Sequence, residues 1–335
     1  MKKAFTLLEL IVVLVILGIL ATIATEILLK VYKNYAFTKA TNSLAYKTDL
    51  VLNTIAAKLE TRIPNTVIAT ECNISNNGCK DGNVTGFISI SELNASNASK
   101  YPVIEWINKD IYSKRGEWND TLKKVVPGWA GFVDLNQTVI NNPNGGDYNI
   151  TIPYSDINVT SDILTAYFDS WGLNINTADP NDVFNKKYAT LIFSGADGRG
   201  DFIDINQSYG WYGTTAKNIY EIIPISKDVI RVKEINQSNQ ATVYEGFYIS
   251  NGAFAIVPVY NAGTNDFNLT LKQNYFPWND QNYTSGNTSL LAAHVTQFKF
   301  KEQNGLLRLY LCIQDPSIKI NEQEKLTVCK ERIVF

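Results

Sequence analysis

Apolar residues form a nearly unbroken run at the start of the chain. From Phe5 to Thr25 the only charged residue is Glu9, and Lys2 and Lys3 precede the run. About 20 apolar residues are enough to span the hydrocarbon core of a membrane. Because lysines favour the cytoplasmic side, the pattern predicts a single membrane pass with a cytoplasmic N-terminus and an exported remainder.

The apolar positions continue at largely helical spacing through residues 27–63, among Lys, Asn and Thr. No proline or glycine occurs between Gly18 and Pro64. We therefore expect one helix from about Phe5 to Arg62, roughly 87 Å long at 1.5 Å per residue. Its first half is apolar on all sides and its second half is amphipathic, so the second half is expected to pack under a folded head.

After the helix the sequence changes to short β-rich segments separated by Gly, Asn and Pro. Strands are predicted in residues 86–90, 128–135, 189–195, 242–250, 253–260 and 295–301. A short helix is predicted in residues 177–188, with Asp179 as its N-cap and Pro180 in its first turn. Residues 305–314 and 324–335 alternate like the two strands of a terminal hairpin. The predicted fold class is α+β, a long helix packed against an antiparallel β-rich head.

Composition supports a folded, exported protein. The 335 residues are 45% apolar and carry a formal net charge of −2, which suits one or two domains with a real core. No basic run follows the two leading lysines, so the charge pattern gives no indication of a nucleic-acid partner.

The four cysteines fall in two local pairs, Cys72 with Cys79 and Cys312 with Cys329. In an oxidising compartment they predict two disulfides. Three connectivities are possible, and closure of short loops favours the neighbouring pairs. Zinc fits poorly, because neither spacing is CxxC and His294 is the only histidine.

Glu9 is the unusual feature of the apolar run, since an ionisable residue inside a membrane segment is costly and marks a function. Its natural partner is a positive charge at the same depth, and no lysine or arginine of the segment supplies one. Cleavage after Ala4 would create a free amino group at Phe5, about one helical turn from Glu9. Within one chain this pair competes with the geometry of the helix, whereas between neighbouring chains it could set their register.

These residues resemble the type III signal of type IV pilins and type II secretion pseudopilins. The chain has a short basic leader, KKA, followed by FTLLEL, which puts a glutamate fifth in the mature protein. The resemblance covers about the first 30 residues. It implies that a prepilin peptidase removes residues 1–4 and N-methylates Phe5, and that Glu9 pairs with the N-terminus of an adjacent subunit. Residues 5–25 would lie in the inner membrane and then in the filament core, and the head, residues 63–335, would be periplasmic before it reaches the filament or the cell surface.

The terminal hairpin is most like that of a J-type minor pseudopilin or a W-type minor pilin, both of which are shorter than this chain. The surplus is expected in residues 144–292, as an insertion or second lobe. A head of about 270 residues would crowd its neighbours along a shaft, so the resemblance implies a minor subunit near the tip. The terminal K-type subunit of the family characteristically lacks the glutamate, which favours a position just below the tip.

Other interpretations of the same sequence remain. An ordinary signal peptide cut after Ala24 would make the chain a secreted enzyme, with two Asp or Glu residues as its catalytic pair, but it leaves Glu9 unexplained. The anchored head could instead be an adhesin for a surface or a carbohydrate, or the chain could be a plain anchored protein. With one histidine and no free-looking cysteine, the usual nucleophile and base pairs lack a member, so no catalytic residue is predicted.

Asn-x-Ser/Thr sequons provide a second signal. Thirteen occur, and eleven have Asp or Glu two residues before the asparagine, whereas 32 acidic residues in 335 give an expected count of about one. The acidic sequons are those of Asn73, Asn83, Asn94, Asn119, Asn136, Asn149, Asn158, Asn206, Asn236, Asn268 and Asn282. The longer pattern resembles the acceptor site of bacterial oligosaccharyltransferases, which implies such an enzyme as a partner. The alternative is that turns favour both acidic residues and asparagine.

Residues 195–204 contain a possible cation site. Asp197, Asp201 and Asp204 lie among glycines that allow sharp turns, so their carboxylates could converge on Ca²⁺. The spacing is not that of an EF-hand, and acidic turns are common. Calcium is the only cofactor that the sequence suggests.

Overall fold

The computed structural model describes residues 7–75, 78–80, 86–142, 147–194, 204–235, 243–319 and 325–335. Within these ranges a long N-terminal helix packs by its C-terminal half against a large antiparallel sheet. The predicted α+β class is confirmed.

The long helix is also confirmed. Helix α1 runs without a break from Leu7 to Leu59, which is 53 residues or about 80 Å at 1.5 Å per residue. A tighter turn follows, in which the Arg62 N–H donates to the Leu59 carbonyl at 3.1 Å. Pro64 then prevents further helix, because it has no N–H and clashes with the preceding turn.

The head consists of short helices and many strands. Its α-helices are α2 (Ile111–Arg115), α3 (Ile157–Ser170), α4 (Asp182–Asn185) and α5 (Ile205–Ser208). Its strands are β1 (Ile68–Thr70), β2 (Ile74–Ser75), β3 (Gly78–Cys79), β4 (Phe87–Ser89), β5 (Val103–Lys109), β6 (Glu117–Asn119), β7 (Lys124–Val126), β8 (Asp134–Asn142), β9 (Asp147–Thr151), β10 (Thr190–Phe193), β11 (Tyr220–Pro224), β12 (Val229–Glu234), β13 (Phe247–Tyr260), β14 (Phe267–Tyr275), β15 (Asn287–Gln303), β16 (Leu306–Lys319) and β17 (Lys325–Val334).

One sheet organises the head. Its main path has the order β17-β16-β15-β14-β13-β10-β11-β12-β9-β8, and all neighbours along this path are antiparallel. Strand β5 also pairs with β13 and carries β1 and β4 beside it, while β6 and β7 form a separate two-stranded hairpin. Ten strands at a spacing of about 4.8 Å give a path roughly 43 Å wide.

A first hydrophobic core joins α1 to the terminal strands. The buried face of α1 begins at Leu44 and includes Ile55, and it packs against side chains such as Leu309 of β16. An ion pair between Asp49 of α1 and Lys330 of β17 lies beside this core. The terminal hairpin therefore serves as the platform on which the helix rests.

A second, larger core lies under the strands farther from α1. It includes Leu164 and Phe168 of α3 and Ile230 of β12, all fully buried. Residues 144–292 supply most of this second core, but they also supply β13 and β14, which contribute to the first one. The limits of the predicted insertion stay a prediction.

The terminal hairpin and the neighbouring cysteine pairs agree with expectation. Cys312 and Cys329 lie directly opposite each other in β16 and β17, and a disulfide joins them. A second disulfide joins Cys72 and Cys79, seven residues apart. The structure thus has the pairing that closure of short loops favours.

Three local predictions are wrong. Residues 128–133 are irregular and β8 starts at Asp134, because the backbone turns at Gly131 with a φ of +97°. Residues 242–250 and 253–260 do not form two strands, since β13 runs continuously from Phe247 to Tyr260. Asn181, not Asp179, is the N-cap of α4; Asp179 closes the preceding turn by accepting from the Asn181 N–H at 2.9 Å.

Candidate functional site: the N-terminal helix and the acidic sequons

Among the described residues, the N-terminal half of α1 is not buried against the head. Every side chain from Leu7 to Tyr35 is exposed, including all those of the most apolar part of the helix. By length and composition α1 can cross a membrane, and no other helix in the described ranges passes that test. A helix that is apolar on all sides needs lipid or other apolar helices around it.

Glu9 lies at the beginning of this exposed half. It is in the first turn of α1, with an exposed side chain. Ala4 and Phe5, the predicted cleavage residues, lie outside the described residues.

The asparagines of the acidic sequons are exposed or half-buried wherever the structure describes them. Asn83 and Asn236 lie outside the described residues. Exposed asparagines are Asn73, Asn94, Asn119, Asn136, Asn158 and Asn206, and half-buried ones are Asn149, Asn268 and Asn282. All nine are thus at least partly accessible to solvent.

In three sequons the acidic residue has a local structural role. Its carboxylate oxygen Oδ1 accepts a hydrogen bond from the backbone N–H of the sequon asparagine. The pairs are Asp134 with Asn136 at 3.0 Å, Asp156 with Asn158 at 3.2 Å and Asp204 with Asn206 at 2.9 Å. Two of these aspartates are also the N-caps of α3 and α5. Turn formation therefore accounts for part of the acidic pattern.

Residues 1–25 match the model of the prokaryotic N-terminal methylation motif. This match supports a type IV pilin-like protein. Comparison of the chain with curated proteins and with solved structures finds no match. The motif implies processing by a prepilin peptidase and assembly with other pilin subunits, and together with α1 it fits a pilin-like protein anchored in a membrane before assembly.

The possible calcium site is only partly described. Asp197 and Asp201 lie outside the described residues. Asp204 caps α5, where its Oδ1 accepts from Asn206 and its Oδ2 accepts from Gln207 Nε2 at 2.9 Å. In the parts of the chain that the structure describes, no group of three or more His, Cys, Asp or Glu could hold a metal ion. Calcium binding stays a prediction.

The head contains a buried carboxyl group that was not predicted from the sequence. Glu105 of β5 is fully buried, and its Oε1 and Oε2 accept from Thr70 Oγ1 and Tyr275 Oη, each at 2.6 Å. The Tyr212 hydroxyl also donates to Oε1. Burial raises the pKa of Glu105, although these three hydrogen bonds act in the opposite direction. The available signal was an acidic residue in "VIEWINK", a strand that is apolar on both faces.

A second buried carboxylate, Asp266, begins the sequon of Asn268. Its side chain is 1% exposed and lies 3.0 Å from His294 Nδ1. Three more groups donate to it, namely Thr264 Oγ1 at 2.8 Å, Gln314 Nε2 at 2.7 Å and Asn261 Nδ2 at 3.2 Å. Burial by itself would raise the pKa of Asp266, but these hydrogen bonds outweigh it and lower the pKa to about 2. His294 thus has a structural partner, in a strand next to β14.

Asp266→Asn is expected to reduce the acid sensitivity of the head. The folded pKa is below the ordinary value of 3.8, so the ionised group stabilises the fold above that value. This contribution, about 2 kcal/mol, is lost as the pH falls from about 4 to about 2. The melting temperature of the full chain in detergent, measured from pH 7 to pH 2, should show a lower plateau and a shallower acid limb in the variant. The exposed Asp169→Asn is the control, and an acid limb as steep as that of the wild type would contradict the role of Asp266.

Proposed function

We propose that the chain is a minor pilin or pseudopilin, a structural subunit near the tip of a type IV pilus or a type II secretion pseudopilus. The observation that carries this proposal is the division of α1. Its first half is apolar, exposed and headed by Glu9, whereas its second half is fixed to the head by a hydrophobic core. One half is thus available to other helices while the other positions a folded surface.

The proposed mechanism is assembly and not turnover. Cleavage after Ala4 leaves a charged amino group at Phe5, and the carboxylate of Glu9 pairs with the corresponding group of a neighbouring subunit. Inside an apolar bundle an unpaired charge is costly, so this pairing selects one register. The apolar faces of α1 then bury one another as the subunit leaves the inner membrane.

A position near the tip, and not along the shaft, is supported by the size of the head. The main path of the sheet is roughly 43 Å wide at the usual strand spacing, and α1 packs at one edge of it, on β16 and β17. A head of about 270 residues that is attached to its helix at one edge of the sheet would collide with copies stacked closely along an axis. The terminal hairpin beneath α1 supports a J-type pseudopilin or a W-type minor pilin.

We also propose that the acidic sequons are acceptor sites for an oligosaccharyltransferase on the exported side. The support is their number and the exposure of six of the nine described asparagines. Sugar on these sites would cover the head with hydrophilic groups.

Peptide mass spectrometry on the protein from native membranes and sheared filaments tests the proposed function. The expected mature chain starts at N-methylated Phe5 and is enriched in the filament fraction. A start at Thr25 would remove Glu9 and the first part of the helix, and would overturn the proposal in favour of a secreted protein. A start at Met1 would leave a plain anchored protein and would overturn it as well.

A further inference from the structure

We infer that the folded head offers its acidic sequons unequally, with Asn94 and Asn119 as ready acceptors and Asn149 and Asn268 withheld. This inference rests on the proposed glycosylation. It adds that modification follows folding, so that the folded head decides which sites are used.

The reaction requires access to both parts of a sequon. The asparagine Nδ2 loses a proton and bonds to the anomeric carbon of a polyprenyl-pyrophosphate-linked oligosaccharide. The bond from that carbon to the pyrophosphate oxygen breaks, and the lipid pyrophosphate leaves while the proton passes to solvent. An acceptor therefore has to present Nδ2 to the sugar donor and the acidic side chain to the enzyme at the same time.

Asn94 and Asn119 meet this requirement. Glu92 and Asn94 are both exposed, at and just after the end of a 3₁₀-helix, Ile90–Glu92. Asn94 Nδ2 donates to the Glu92 carbonyl at 3.1 Å and Asn94 Oδ1 accepts from the Ser96 N–H at 3.0 Å. Both bonds are local to this exposed segment, so breaking them separates no pair of strands. Glu117 and Asn119 are both exposed in β6, which pairs with no strand other than β7 within the described ranges. Asn119 Oδ1 accepts from the Leu122 N–H at 2.8 Å, a contact inside the same small hairpin. A glutamate side chain is also longer than that of an aspartate, and neither glutamate has the bond to the asparagine N–H that three Asp sequons form, among the contacts described.

Asn149 is withheld by the sheet. It lies in β9, between β8 and β12, so both edges of its strand are paired. Its Oδ1 accepts from Asn141 Nδ2 at 2.8 Å. The preceding acid, Asp147, has a side chain that is 9% exposed and accepts from both Nε and Nη2 of Arg231. Presentation would require β9 to leave two neighbours and break a bidentate ion pair.

Asn268 is withheld in the same way. It lies in β14, which is paired on one side with β13 and on the other with β15. Its acidic residue is Asp266, with a 1% exposed side chain that bonds to His294 and three further groups. Opening this site would disrupt the core that joins the sheet to α1, because Phe267, the residue between them, belongs to that core.

Site-resolved occupancy of the full-length protein from its native membrane tests the inference. Occupancy at Asn94 and Asn119 should exceed that at Asn149 and Asn268 by at least about tenfold, the ratio that corresponds to an opening cost of only ~1.4 kcal/mol. Asn97 supplies an internal control, because it is a sequon in the same turn as Asn94 but has Ala95 two residues before it. It should be empty in the wild type, and A95D should raise its occupancy.

Short peptides spanning residues 145–153 and 264–272 distinguish the effect of the folded head from the effect of the local sequence, because they contain the sequons of Asn149 and Asn268 without the sheet. Incubated with native membranes and their lipid-linked donor, both peptides should be modified as well as one spanning residues 90–98. Equal occupancy of all four sites in the full chain would overturn the inference, as would failure of the first two peptides while the third is modified. If no acidic sequon is modified in either the chain or the peptides, the proposed glycosylation itself fails.

Discussion

Replacing Glu9 with alanine is expected to leave the protein in the membrane and to lower its incorporation into filaments about tenfold or more. A loss of ~1.4 kcal/mol in subunit pairing already gives a factor of ten, and an interhelical charge pair in an apolar bundle is strong enough to supply it. Insertion should not suffer, because removing a charge from an apolar segment favours the membrane. The measurement is the ratio of protein in sheared filaments to protein in membranes.

Glu26→Ala is the matched control for Glu9→Ala. Glu26 is an exposed glutamate of the same helix, 17 residues farther along, or about 26 Å. Its replacement should leave the filament-to-membrane ratio unchanged, and both variants should still start at N-methylated Phe5. Normal incorporation of Glu9→Ala, or an equal defect in both variants, would refute a specific pairing role for Glu9.

The features that the sequence predicted best depend on local patterns. The absence of Pro and Gly between Gly18 and Pro64 predicted a continuous helix, and α1 ends at Leu59, just before that proline. The two C-terminal segments with alternating apolar and polar residues predicted a hairpin, and in the structure Cys312 and Cys329 face each other across it. In both cases the side-chain period and the breaker residues fix the element without knowledge of distant contacts.

Features that depend on long-range packing were not predictable in this way. Gly252 suggested a break between two strands, but it instead carries β13 through a bulge with a φ of +111°, with register shifts against β5 and β14 nearby. Glycine tolerates this conformation because it has no Cβ. Helix α3 was not predicted, although Asp156 caps it and its side chains Leu164 and Phe168 are buried in the larger core.

The sequon pattern shows why one motif can have two causes. Asp156 and Asp204 cap helices, and Asp147 and Asp266 anchor buried networks, so these four residues have structural roles without any enzyme. Glu92 and Glu117 are exposed on the surface and have no such role among the described contacts. The structure therefore separates sequons that folding explains from sequons that it does not.

Glu105→Ala is expected to lower the free energy of unfolding by about 3–5 kcal/mol. The substitution leaves a cavity in a fully buried site and removes the acceptor of three hydroxyl groups, those of Thr70, Tyr212 and Tyr275. Tyr212 itself has a left-handed backbone conformation, with a φ of 51°. Chemical unfolding of the full chain in detergent, followed by tryptophan fluorescence, measures the loss. Glu105→Gln keeps the volume and one acceptor, so its cost should be clearly smaller.

The stability of Glu105→Gln relative to the wild type is expected to change with pH in the opposite direction to that of Asp266→Asn. Burial raises the pKa of Glu105 above its ordinary value of 4.5, so the folded head keeps this proton to a higher pH than the unfolded chain does. The stability that the wild type derives from the protonated group is therefore present below about pH 4.5 and is lost as the pH rises through the folded pKa. Because glutamine does not titrate, the stability of the variant relative to the wild type should increase as the pH rises from about 4.5 towards the folded pKa. A difference that stays constant over this range would show that Glu105 is not held protonated by its buried site.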